Sequence, residues 1–290
     1  MRRLALLASL LLAACGADKE GMILFVDPAY EAVVVATSAD GFSAPDGIAP
    51  APGGFYIADE GDGTVRHWTG RGKVKVLADR RSGLSTPEDL AVDAEGAIWF
   101  SDDDAGGVWR IPAGGRAVRV AGPAPGLTST EGLTLAPEGS AIVGDGKSHI
   151  LFRITRSGEI STLIGPEAGI AKPEGLAFDG EGNLFIADNS QHILFQRTRG
   201  GQVIRLVERR EGFSPESIAW GAGALFITDS KFGKLHRYTP EKGLETVAVF
   251  GGLLSHPSGI TVDDAGRIHI TVQQDIKAGR GYLLRLERKR

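Results

Sequence analysis

Read for hydrophobic and polar positions, the chain falls into short apolar runs of about four to six residues set off by glycine-rich turns. No stretch keeps the 3.6-residue period of an amphipathic helix. The clearest stretch is Gly175-Leu-Ala-Phe-Asp179, then Gly180-Glu-Gly-Asn183, then Leu184-Phe-Ile-Ala187. It predicts a strand, a tight turn and a second strand, and His192 to Arg197 and Gln202 to Val207 predict a third and a fourth.

The same phrase recurs. Segments beginning at Ser43, Ser85, Thr128, Ala171, Phe213 and Ser255 align. Pro45, Pro87, Thr130, Pro173, Pro215 and Pro257 mark their register at steps of 42, 43, 43, 42 and 42 residues. A period of this size carrying four strands is one propeller blade, which cannot bury both faces alone and must stack on its neighbours. The expectation is an all-β, six-bladed β-propeller with four antiparallel strands per blade, forming one domain over residues 22–290. The last unit reaches Arg290 just after its third strand, so Glu31 to Thr37 is expected to complete the last blade and close the ring. Met22 to Val26 resembles a third strand, as in Ile150-Leu-Phe152, and is surplus to this scheme.

Composition supports a folded β-protein: 41 glycines and 14 prolines supply turns, while 42% hydrophobic residues supply a core. The first fourteen residues read as an export signal, with Arg2 and Arg3 ahead of an apolar stretch from Leu4 to Leu12 that is too short to span a bilayer. Leu12-Ala13-Ala14-Cys15 resembles the bacterial lipoprotein box, and Cys15 is the only cysteine, so no internal disulfide can form. That resemblance implies lipidation of Cys15, a membrane anchor in the cell envelope, and residues 15–21 as a tether of about 20 Å at full extension. Because Gly16 rather than aspartate follows the cysteine, it also implies outer-membrane sorting in a Gram-negative cell. A plain secretory peptide cut near Ala13 or Ala14 is the alternative. With Arg2 and Arg3 removed, the formal charge of −4 becomes −6, and no long basic run offers itself to nucleic acid.

The Pro-x-Gly and Gly-Asn-Leu-Phe-Ile-Ala-Asp phrases, fullest from Pro173 to Ile193, resemble the NHL repeat and the senescence-marker-protein/gluconolactonase propellers. Strands one and two of a blade run antiparallel, so the start of the first and the end of the second share one face of the disc. At the start of the innermost strand stand Asp46, Glu88, Glu131, Glu174, Glu216 and Ser258. Five carboxylates around one central mouth repel one another and suit a hard cation such as Ca²⁺. At the end of the second strand stand Asp59, Asp102, Asp145, Asp188 and Asp229, with Gln273 near the sixth place; these are expected to hold the local turns. The gluconolactonase resemblance implies a divalent metal at the mouth and an acidic residue serving as base or nucleophile, for which Glu174 and Glu216 are the catalytic candidates. The asparagine ligands of those propellers have no counterpart at the six inner positions.

Two readings follow. One is a lipid-anchored binding or assembly module that engages an envelope protein, a peptide or a glycan through the acidic mouth. The other is a Ca²⁺-dependent lactonase or ester hydrolase using the same carboxylates. The four tryptophans are expected to pack between blades, and the histidines include no HExxH pair. The segment from Gln273 to Gly281, the longest connection between second and third strands, is the candidate specificity loop.

Overall fold

The fold was taken from a computed structural model, which describes residues 9–12, 21–70, 74–275 and 280–289. Six antiparallel sheets form six blades. Blade 1 holds Pro45–Ala51, Gly54–Asp59, Thr64–Trp68 and Lys75–Ala78, and blade 2 holds Pro87–Val92, Ile98–Asp102, Val108–Ile111 and Val118–Ala121. Blade 3 holds Thr130–Leu135, Ala141–Asp145, Ile150–Ile154 and Ile160–Ile164, and blade 4 holds Pro173–Phe178, Leu184–Asp188, Ile193–Arg197 and Val203–Val207. Blade 5 begins with Ile218–Gly221, Ala224–Asp229, Lys234–Thr239 and Gly243–Gly251; blade 6 begins with Pro257–Val262, Ile268–Asp275 and Arg280–Arg288. Each innermost strand packs against the next, and Pro257–Val262 packs back on Pro45–Ala51, so the ring is closed.

The strands read as continuous apolar runs because a blade is covered on both faces. In blade 4, Leu184 and Ile186 enter the core shared with blade 3, while Phe185 and Ala187, one residue out of phase, enter the core shared with blade 5. The two-residue period of the pleat thus feeds two cores from one strand. The tryptophans lie in these layers: Trp68 stacks on Phe55, Trp109 on Phe100 and Trp220 on Phe185, with ring centroids 6.2, 6.3 and 5.6 Å apart.

Closure follows the expected route. Tyr30–Thr37 pairs antiparallel with Arg280–Arg288, Ala32 opposite Leu286 and Val34 opposite Leu284, as the outer strand of blade 6. The surplus segment is not a third strand of any blade. Gly21–Phe25 pairs with Gly243–Gly251, Ile23 opposite Phe250 and Phe25 opposite Ala248, as a fifth strand on the outer edge of blade 5. Ile23 and Phe25 are buried in the core between blades 5 and 6, which is what holds the added strand there. Ser9–Leu12 pairs in turn with Gly21–Phe25. The rest of the expected signal and tether, residues 1–8 and 13–20 with Cys15 among them, lies outside the described residues, as do residues 276–279 of the candidate specificity loop.

Candidate functional site: an acidic mouth

The inner strands approach one another so closely that a β-carbon on Gly132 would lie 2.1 Å from the Glu174 carbonyl oxygen, and one on Gly175 would lie 2.3 Å from that of Glu216. Glycine at these two positions lets the strand starts converge, and convergence brings the preceding acids together. Asp46, Glu88, Glu131, Glu174 and Glu216 therefore line one cavity at the axis. Its volume, about 20 Å³, suits an ion or one to two waters. Blade 2 carries Asp89 where blades 3 and 4 carry Gly132 and Gly175. Its carboxylate reaches across to accept from the Leu133 N–H at 3.0 Å, and burial pushes it up to about 7.

Around the ring the acids are not equally provided for. Ser258, the sixth inner residue, donates to Asp46 and lies 3.2 Å from Glu216, to which Ser230 also donates. Lys172 forms an ion pair with Glu174 and lies 3.5 Å from Glu131. Burial alone would lower the lysine's pKa, but Glu174 and Glu131 outweigh it and raise it, so the ammonium persists. The arc from blade 1 to blade 3 is different. Ligand atoms of Asp46, Glu60 and Glu88 lie within 4.8 Å of one another, and so do those of Glu88, Asp103 and Glu131. Glu88 belongs to both triads. Burial, then repulsion from Asp46, raises its pKa well above the usual range, and burial with repulsion from Glu174 carries Glu131 to about 8. Glu216 and Glu174 are raised as well, first by burial. Desolvated carboxylates that repel one another and present convergent oxygens are the donor set of a hard divalent cation, so the residues fit Ca²⁺.

Of the five acids predicted from the inner strands, the structure brings Asp46, Glu88 and Glu131 into the triads. It leaves Glu174 and Glu216, the catalytic candidates, on the opposite arc with partners of their own. Glu60 and Asp103 were not among the candidates. They follow the second-strand aspartates Asp59 and Asp102, and register brings them in: Pro45 pairs with Asp59 and Pro87 with Asp102. In blade 6 Pro257 pairs with Val272, so Val272 takes the sixth aspartate place and Gln273 the place of Glu60, to which its amide donates at 3.2 Å.

The second ring of aspartates does hold turns. Asp145 is fully buried and accepts from the N–H groups of Thr128 and Ser129 before the blade and from Lys147 and Ser148 after the strand. Asp188 does the same with Ala171, Lys172 and Gln191, which positions Lys172 beside the mouth. Among the described residues no histidine joins a metal-capable cluster. A larger cavity, about 770 Å³, opens on the opposite face between blades 5 and 6. Two of its arginines are already paired, Arg237 with Asp27 and Glu245 and Arg267 with Asp263.

The family model described as strictosidine synthase-like, N-terminal, matches residues 77–111. No curated protein matches. A gluconolactonase from Xanthomonas campestris is 18% identical, with 93% of this chain and 90% of that one covered at a TM-score of 0.70. The calcium-binding protein regucalcin from Agrobacterium tumefaciens is 13% identical, covering 90% and 96% at 0.68. Virginiamycin B lyase from Staphylococcus aureus is 17% identical, covering 89% and 99% at 0.67. At these identities the likeness is one of fold, since one architecture carries many chemistries.

Proposed function

We propose that the chain is a divalent-cation-dependent hydrolase of small lactones or esters acting at the acidic mouth. The observation that carries this reading is the pair of carboxylate triads that share Glu88 at the axis. Gluconolactonase and regucalcin among the structural neighbours support it. Asp46, Glu60, Glu88, Asp103 and Glu131 would hold the cation, and a bound Ca²⁺ there would polarise an ester carbonyl. Glu174, which stands outside both triads and is held in place by its ion pair with Lys172, would move the proton. The cavity at the axis is too small for an organic ring, so the substrate meets the site from the open face. The test is hydrolysis of gluconolactone by the soluble domain before and after chelation. A loss of about a hundredfold, restored by calcium, is expected on the scale of lost metal-site function. A purified protein with no metal by elemental analysis and no hydrolysis when calcium is supplied would end the reading.

Export and anchoring through a lipid on Cys15 belong to the same proposal, supported by the lipoprotein-box resemblance of Leu12 to Cys15. With Gly21–Phe25 fixed to the edge of blade 5, such an anchor would act on that edge of the disc. Detergent phase partitioning checks it: Cys15→Ala is expected to move the protein from the detergent to the aqueous phase, and an unchanged distribution refutes the anchor.

A further inference from the structure

The residue just before the third strand of a blade ends a loop on the mouth face. In blades 1 and 5 it is glycine in left-handed backbone, Gly63 and Gly233, with φ of 65° and 59°. Blades 3 and 4 place His149 and His192 there, with φ of 60° and 63°, a conformation that a side chain rarely adopts. In blade 3 the ring repays the strain, because His149 Nδ1 lies 2.5 Å from the Ala171 carbonyl oxygen. The repeat would offer Phe213 to His192 in the same way. Instead His192 Nδ1 is buried with no hydrogen-bond partner, which native structures seldom leave without a reason.

His192 lines a cleft of about 440 Å³ between blades 4 and 5, with Arg209, Arg210, Glu211, Phe213 and Phe232. The connector that supplies the two arginines, like the one after blade 2, lacks the 3₁₀ turn of the other four. Those after blades 1, 3, 5 and 6 wind as 3₁₀ turns, at Arg80–Ser82, Pro166–Ala168, Gly252–Leu254 and Ser38–Asp40, whereas residues 208–212 do not. Arg209 and Arg210 form no ion pair among the described residues, and Arg210 instead lies 5.8 Å over the Phe213 ring. Phe232 is 39% exposed, with the Lys231 and Lys234 ammonium groups 5.7 and 5.4 Å from its ring centre. Lys234 also donates to the Gly212 carbonyl, tying the connector to blade 5. The lining itself carries Arg209 and Arg210 against one acid, Glu211, and Lys231 and Lys234 add two further cations beside Phe232. Asp188 and Asp229 nearby are fully buried, and backbone N–H groups satisfy them.

We propose that this cleft binds a small organic anion, a carboxylate carried on an apolar or aromatic body, with Arg209 and Arg210 meeting the charge and Phe232 the body. The mouth, lined by carboxylates, repels such a ligand, so the two sites do not compete, and the inference stands apart from the hydrolase reading. Paired arginines suit a carboxylate's two oxygens, and exposed aromatic carbon beside them favours a ligand that is not charge alone. Burial first, and then Lys231 and Arg209, lower the pKa of His192.

Calorimetric titration of the intact protein with 2-naphthoate, and with neutral 2-naphthamide as its counterpart, tests the inference. Expected are one saturable naphthoate site, naphthamide binding at least tenfold weaker, and a tenfold or greater loss for the Arg209→Ala/Arg210→Ala double variant. These side chains are exposed, so the variant's melting temperature should match that of the parent. The His192 ring resonances should move on naphthoate addition, which locates the site. Equal affinity for the two probes, no saturable binding of either, a double variant that binds like the parent, or unmoved His192 resonances would each overturn it.

Discussion

Replacing Glu88 with glutamine should weaken calcium binding by about a hundredfold while making the metal-free protein more stable at pH 8. Both effects follow from one position. Glu88 is the side chain common to the Asp46–Glu60–Glu88 and Glu88–Asp103–Glu131 triads, so its loss removes an anionic oxygen from either. Burial, Asp46, Glu60 and Glu131 all oppose its ionisation, so an isosteric neutral amide relieves repulsion in the empty mouth. Glu216→Gln offers the contrast. Glu216 stands on the opposite arc, where Ser230 donates to it and Ser258 lies 3.2 Å away, and its substitution should change calcium affinity by less than about tenfold, the lower bound for second-layer groups. Calorimetry with calcium and thermal unfolding in chelator read the two quantities separately. Equal affinity losses for the two variants would put the cation at the centre of the axis and remove the case for an off-centre site.

Much of this is legible in the sequence. Six register marks give the blade number, and a last unit with only three strands calls for Glu31 to Thr37 to close the ring, where the structure has Tyr30–Thr37. The repeat also put five acids at one mouth, because it copies the residue after each register mark. What it could not give was the unequal treatment of those acids. Lys172 precedes Pro173 in sequence, but its ion pair with Glu174 depends on how Asp188 holds the loop around it. Glu60 and Asp103 fall one residue past the second-strand aspartates, outside the repeated phrase. Only the pairing of Pro45 with Asp59 and Pro87 with Asp102 carries them to the axis. The fifth strand on blade 5 was hidden for a similar reason. Met22 to Val26 has the composition of a third strand, as in Ile150-Leu-Phe152. Its place depends on Gly243–Gly251 being nine residues long, with a free edge to receive it.

Without metal, the protein should lose stability as pH rises from about 5 to 8, and calcium should restore it most at the upper end. Glu131 titrates near its usual value of 4.5 in the unfolded chain but near 8 in the folded mouth, and Asp89 goes from 3.8 to about 7. Between the two values the folded state binds the more protons. Stability is therefore full below the unfolded pKa and falls until the pH passes the folded one. At about 1.4 kcal/mol per unit, the mouth contributes on the order of several kcal/mol to that fall. Asp263, lowered to about 2 by its contacts with His269 and Arg267 against the cost of burial, acts with the opposite sign. Its contribution is present above the unfolded value and is lost as pH falls towards 2, so it leaves the range from 5 to 8 untouched. A bound cation takes the ionised carboxylates that the empty mouth resists, so the rise in melting temperature on adding calcium should grow steadily from pH 5 to 8. A chelated protein whose melting temperature is flat or rising across that range would mean that the mouth's carboxylates are not the desolvated, mutually repelling set on which the metal site rests.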